Sequence, residues 1–365
     1  MFKTVKFAKL FLVTLLLLSI LSTSVLVWAE KSNNADEVYY EIEEYAGNND
    51  FELIYDGKDI NYTGDKNKSY KIVQKNSASF NKESEVSAED LVTMLNKNTN
   101  KDEQFKNLVN KKLILAGSVK KAIYIEVDNN TKQERKLTVG EIDKIKEFKA
   151  KNNEEDIFLS NNTIGNIKDI FKSALGIIDV HAATTSKSIY RLYQQLDVVK
   201  DYYSNSKYYL TGYATWTGFS NSIFNSKEFP SNGDDALVFS WGGSYDYSDV
   251  SLLRTYIDTN TGAESTSLGT VRNVSGQANV SRGWAYPEFV PTGYHLGSYC
   301  RNAKAYATLS KPSLSGGTTK VYLSYAHTFS TYNTSYSFSV PQAATISVTP
   351  ATDYWTDFVE LTINQ

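Results

Sequence analysis

Residues 186–217 read SKSIYRLYQQLDVVKDYYSNSKYYLTGYATWT, and the fold turns on where their period changes. Ile189, Leu192, Leu196, Val199 and Tyr203 recur at helical spacing behind Ser186 as N-cap. That pattern predicts a connecting helix over 184–207. From Tyr208 the period becomes two, which is a strand. Downstream, Tyr209–Thr217, Ala236–Gly242, Val250–Ile257, Ala278–Tyr286, Ala303–Leu309, Lys320–Phe329, Ser335–Val340, Ala344–Val348 and Trp355–Ile363 are all strand-like. Turn-forming breaks such as Asn232-Gly233-Asp234 and Ser315-Gly316-Gly317 separate most of them. Strands in succession without helices between them predict an all-β antiparallel sandwich over 208–365, with jelly-roll and immunoglobulin-like topologies both open. All six prolines lie in this part of the chain, at strand ends or in loops.

Upstream the composition is different. Residues 30–183 carry 23 basic and 28 acidic side chains and 13 aromatics; residues 184–365 carry 12, 13 and 31. Two unlike regions are therefore expected, each long enough for a core of its own. Ser87 before Glu89 and Asp90 is an N-cap signal, and Thr138 with Glu141 is a capping box, each opening a short helix. Lys112–Val127 reads as a strand that turns at Asp128-Asn129-Asn130 into a second near Arg135–Val139. The region 30–183 is thus predicted to be α+β. Ile164, Ile167, Ile170, Phe171, Leu175 and Ile178 predict a further amphipathic helix, followed by the small residues around Ala182. Two readings stand: a pro-segment or spacer removed by a cut near Ala182, or a domain-closing helix and linker.

Residues 1–29 contain three lysines and no acid, then an apolar run, then Val27 and Ala29 before Glu30. This is the layout of a signal peptide cleaved after Ala29; an uncleaved anchor is the other reading. The expected location is secreted and extracellular. Lys outnumbers Arg 32 to 6 and Asn reaches 30, the bias of AT-rich coding, which points to a low-GC Gram-positive bacterium. The single cysteine, Cys300, rules out a disulfide framework and a thiolate metal cluster. The balance of 38 basic against 41 acidic residues leaves no basic stripe, so nucleic acid is not an expected partner.

Few residues suggest chemistry. His181, His295 and His327 show no metal spacing. His327 alternates with Val321, Leu323, Tyr325 and Phe329 and reads as a core histidine. No Gly-x-Ser-x-Gly elbow occurs, and nothing brings Glu264 and Glu288 together as a glycosidase pair. Neither catalytic residues nor a metal or cofactor site is therefore assigned. Asp258–Glu264 resembles a calcium loop only in its first half and reads better as a hairpin turn. The informative stretch is Arg282-Gly283-Trp284-Ala285-Tyr286-Pro287-Glu288. Extended geometry puts Arg282, Trp284 and Tyr286 on one face, with Glu288 continuing it. An aromatic plate flanked by planar polar groups matches the apolar C–H face and hydroxyl rim of a sugar. The expected function is non-catalytic binding of extracellular or cell-wall glycan. The alternative is a β-type pore-forming or membrane-active toxin, from a hairpin expected at Lys320–Phe329 and Ser335–Val340; membrane is a partner only under that reading. A secreted hydrolase is the second alternative.

Overall fold

The computed structural model describes residues 37–47, 49–77, 80–98, 108–128, 133–152, 187–204, 206–217, 235–242, 245–258, 261, 263–272, 284–289, 298–310, 317–328, 335–339, 345–349 and 354–364. Seven strands and two helices come first: β1 (Tyr40–Ala46), β2 (Glu52–Tyr55), β3 (Ile60–Tyr62), β4 (Ser69–Asn76), β5 (Phe80–Ser87), α1 (Ala88–Asn98), β6 (Lys112–Asp128), β7 (Glu134–Lys136) and α2 (Val139–Asn152). Then come β8 (Lys187–Asp201), β9 (Lys207–Thr217), β10 (Asp235–Trp241), β11 (Asp246–Asp258), β12 (Glu264–Leu268), β13 (Thr270–Arg272) and β14 (Trp284–Phe289). The last are β15 (Ser298–Ser310), β16 (Thr318–Thr328), β17 (Ser335–Ser339), β18 (Thr345–Thr349) and β19 (Tyr354–Asn364). A twelve-stranded sheet runs β12-β11-β15-β9-β8-β6-β1-β4-β5, with β2 and β7 paired to β6 and β3 to β2. A five-stranded sheet runs β13-β14-β10-β16-β19, and among the described residues β17 pairs with β18 as a two-stranded sheet.

The connecting helix expected over 184–207 is instead the strand β8, which pairs with β6 from Leu113↔Asp201 to Asp128↔Lys187 and with β9 on its other side. The reason is local. Tyr190, Leu192, Leu196 and Val198 form one buried strand face, but Gln194 interrupts them and hides the two-residue period. In the core its amide nitrogen donates to the carbonyl of Asp357 at 3.3 Å, while its Oε1 has no partner among the described residues. Because β6 and β8 hydrogen-bond, one sheet runs through both compositional regions. The hairpin expected from Lys320–Phe329 and Ser335–Val340 does not form either: β16 pairs with β10 and β19, and β17 with β18.

Strand alternation sets the main core. Ile123, Ile125, Val127, Leu192, Leu196, Val198, Leu210 and Trp216 of the large sheet pack against Leu237, Phe239, Val321, Leu323, Val359 and Leu361 of the small one. At Gly212 the sheets approach closely, since a Cβ there would lie 2.5 Å from Leu323 and 2.8 Å from Phe239. A register shift in β6 between Leu115 and Gly117 swaps faces. Leu113 and Leu115 then turn to a second core with Phe51, Leu53, Tyr70 and the α1 residues Leu91 and Leu95. The caps read from sequence are present: Asp90 N–H donates to Ser87 Oγ at 3.1 Å, and Thr138 N–H to Glu141 at 2.9 Å. Both expected turns close hairpins, β6–β7 with Asp128 N–H to Gln133 O at 2.9 Å and β11–β12 with Asp258 N–H to Ala263 O at 2.9 Å.

Candidate functional site

The five-stranded sheet has one face on the core and one directed away from it. Cross-strand partners share a face, so register sorts the residues. Phe239 pairs with Leu323 and Ala285, and Leu323 with Val359, which makes the core-side row. One residue along, Trp284 pairs with Ser240, Ser240 with Tyr322, and Tyr322 with Glu360. Glu288 pairs with Ala236 and Thr270, and Tyr286 with Arg272. Trp284, Tyr286 and Glu288 therefore hold positions on the outer face. Arg282 lies outside the described residues, as do the cleavage positions Ala29 and Ala182 and the expected helix over 164–178.

On β19 the outer positions are open. Phe358 is 41% exposed and Tyr354 36%, about 13 Å apart along the strand at roughly 3.3 Å per residue. Phe358 meets Tyr322 edge-on, with ring centroids 6.2 Å apart, and Lys320 pairs with Glu360 at 2.5 Å. Burial, with Glu360 nearby, raises the Tyr322 phenol above its ordinary range, so it stays a neutral hydroxyl. Ser240 and Ser324 are buried on this face, and neither hydroxyl has a hydrogen-bond partner among the described residues. A buried unpaired hydroxyl costs about 1–3 kcal/mol. Tyr354, Phe358 and Tyr322 were not singled out from sequence; the aromatics alternating with Thr356 and Glu360 were the available signal.

The core-side face ends in charge. His327 is fully buried, with Nδ1 at 2.8 Å from Asp235 and Nε2 at 3.2 Å from Glu134. Trp355 Nε1 donates to the other Glu134 oxygen at 3.0 Å; the Tyr325 hydroxyl donates to Asp235 and accepts from Trp216 Nε1 at 3.1 Å. Burial alone would lower the imidazole pKa, but Asp235 and Glu134 outweigh it and lift it to about 10. The ring is an imidazolium at neutral pH, donating from both nitrogens. Two positions along, Asp357 accepts from Lys121 and from Lys136 at 3.0 Å. Burial pushes the Asp357 carboxyl up, yet the two lysines hold it below the usual carboxylate range. His327 is a core histidine, as the alternation implied: its side chain is fully buried and both ring nitrogens have carboxylate partners. Cys300 is likewise buried, and burial pushes its thiol up to about 12. Glu264 sits on β12 of the large sheet, paired with Arg301 at 2.8 Å, while Glu288 is in the small sheet. Among the described residues, no His, Cys, Asp or Glu cluster could hold a metal ion.

No family model matches the chain, and no curated protein matches it in sequence. Among solved structures it is similar to the KRT10-binding region domain of the pneumococcal serine rich repeat protein PsrP, at 15% identity over 38% of this chain and 79% of that one, with a TM-score of 0.19. It is also similar to Clostridium perfringens delta-toxin, at 8% identity over 48% and 85%, with a TM-score of 0.19. The C-terminal domain of the Streptococcus agalactiae AgI/II polypeptide BspA is similar at 9% identity over 92% and 87%, with a TM-score of 0.20. TM-scores this low carry no argument about function.

Proposed function

We propose that this chain is a secreted, non-catalytic binding protein whose two packed sheets act as a β-sandwich and whose outer five-stranded face takes extracellular or cell-wall glycan. The observation that carries the reading is the register. It aligns the Trp284, Tyr286 and Glu288 positions, through β10 and β16, with the β19 face that exposes Tyr354 and Phe358 beside the Lys320–Glu360 pair. Aromatic plates flanked by paired charges suit a sugar's apolar face and hydroxyl rim. Arg282, two positions before Trp284 in the sequence, belongs to the same proposal. The test is retention of the full secreted chain on bacterial cell walls and on a glycan panel. Trp284→Ala and Phe358→Ala should each lower retention about tenfold without changing the thermal midpoint. No retention of the native chain on any surface would overturn the reading.

A second reading, a membrane-active arm, is supported by β17–β18. Tyr336 pairs with Val348 and Phe338 with Ile346, while Ser335, Ser337 and Ser339 pair with Thr349, Ser347 and Thr345. One face of that hairpin is apolar and the other hydroxylic, and residues 328–352 contain no charge. Five residues per strand fall short of the roughly 9–11 that span a bilayer, so this reading ranks second. Dye release from liposomes by the full chain would reverse the order.

A further inference from the structure

We propose that the charged node between β7 and the five-stranded sheet keeps the segments on either side of residues 153–186 in one folded particle when the chain between them is cut. The inference concerns how the chain holds together and is independent of glycan binding. Three observations support it. First, β6 lies inside the large sheet, with β8 along one edge and β1, β2 and β7 along the other. Removing residues before 153 would strip β8 of one hydrogen-bonded neighbour along its length and bare its edge. Second, the main core is shared: Val119, Ile123, Ile125 and Val127 come from before the cut, and Leu192, Leu196, Leu237 and Leu361 from after it.

Third, the polar end of that core is completed across the cut. Glu134 and Lys136 pair with Val127 and Ile125 and so share their core-facing side. Glu134 accepts from His327 and Trp355, and Lys136 donates to Asp357 and, at 2.6 Å, to the carbonyl of Thr356. Lys121 of β6 also donates to Asp357. Loss of the first segment would take both lysines from Asp357 and the Glu134 carboxylate from His327 and Trp355.

Among the described residues, the groups facing His327 include Glu134 from β7, Asp235 from β10, Tyr325 on its own strand, Trp355 from β19 and Trp216 from β9. Cys300 of β15 adds an electrostatic interaction with Asp235. Because the ring is charged at neutral pH, the node attracts at pH 7; as pH rises through about 10 the ring loses its charge, and Lys136, whose pKa burial pulls below its ordinary value, loses its own. Association of the cut pieces therefore weakens with alkali.

The experiment places a specific protease sequence within 153–186 of the full chain, cuts it, and follows the pieces by gel filtration and intact mass. The expected result is co-elution at the uncut volume at pH 7, with a fragment dissociation constant at least tenfold higher near pH 10.5. Glu134→Gln should raise that constant about tenfold at pH 7 and flatten its pH dependence. If Glu134→Gln fails to fold uncut, Lys136→Met gives the same comparison at the neighbouring ion pair. Separate elution at pH 7, with the 187–365 piece keeping its near-ultraviolet circular dichroism, would overturn the proposal and make residues 30–183 a removable pro-segment. Unchanged association in both variants would overturn the role of the node.

Discussion

The space between the two sheets has a dry half and a charged half. In the dry half, Phe239, Leu323, Val359 and Leu361 meet Leu210, Gly212 and Leu196, and shape alone decides the fit. In the charged half, Asp235, His327, Glu134, Lys136, Lys121 and Asp357 are arranged so that each cation meets an anion. The difference teaches where tolerance lies. An apolar row accepts a swap of similar volume at under about 1.5 kcal/mol, whereas a buried ion cannot lose one partner without leaving the other exposed to a poor dielectric.

The largest effect should come from the charged half. His327→Leu leaves Asp235 and Glu134 buried without their shared cation and should cost roughly 3–5 kcal/mol in urea unfolding. A loss below about 1 kcal/mol would erase the contrast between the halves. In the dry half, Leu323→Ala should cost about 3 kcal/mol, within the range for buried leucines, with no pH dependence of the difference between pH 6 and 10. Raising pH tests the same contrast without a cavity. The His327 pKa is raised from 6.5 to about 10, so its stabilisation is complete below about 6.5 and is lost as pH climbs to 10. The urea midpoint should fall over that window, and His327→Gln should fall less. Away from both halves, Thr138→Ala removes the cap that opens α2 and should cost about 1 kcal/mol. Smallest of all, Glu264→Gln at the exposed Arg301 pair should change stability by no more than about 0.5 kcal/mol, because both side chains stand largely in water.

What could be read from the sequence follows from the same two halves. Strands β9, β10, β15, β16 and β19 were legible because alternation runs through most of their length, with Asp235, His327 and Asp357 standing toward one end of β10, β16 and β19. Strand β8 was not, because Gln194 sits where alternation demands an apolar residue, and its partner is a carbonyl 163 positions away. β1 to β5 were missed because their outward faces carry Lys, Glu and Asn, leaving short apolar signals. His327 was legible as a core residue from its strand face. Its partner Glu134 was not, since 193 positions separate them and only tertiary packing brings β7 to β16. On the candidate face, Trp284, Tyr286 and Glu288 followed from alternation within one segment. Tyr354 and Phe358 needed the knowledge that β19 lies at the sheet edge.

The long antiparallel pairing of β6 with β8 also sets how the chain must assemble. Residues 129–186, 58 positions, lie between the last residue of one strand and the first of the other. Closing a loop of that size costs entropy before any ladder bond repays it, and non-local pairing of this kind slows folding into the millisecond-to-second range. Until closure, both strands present unpaired, largely apolar edges. A newly made chain is then most vulnerable to aggregation and proteolysis during that search.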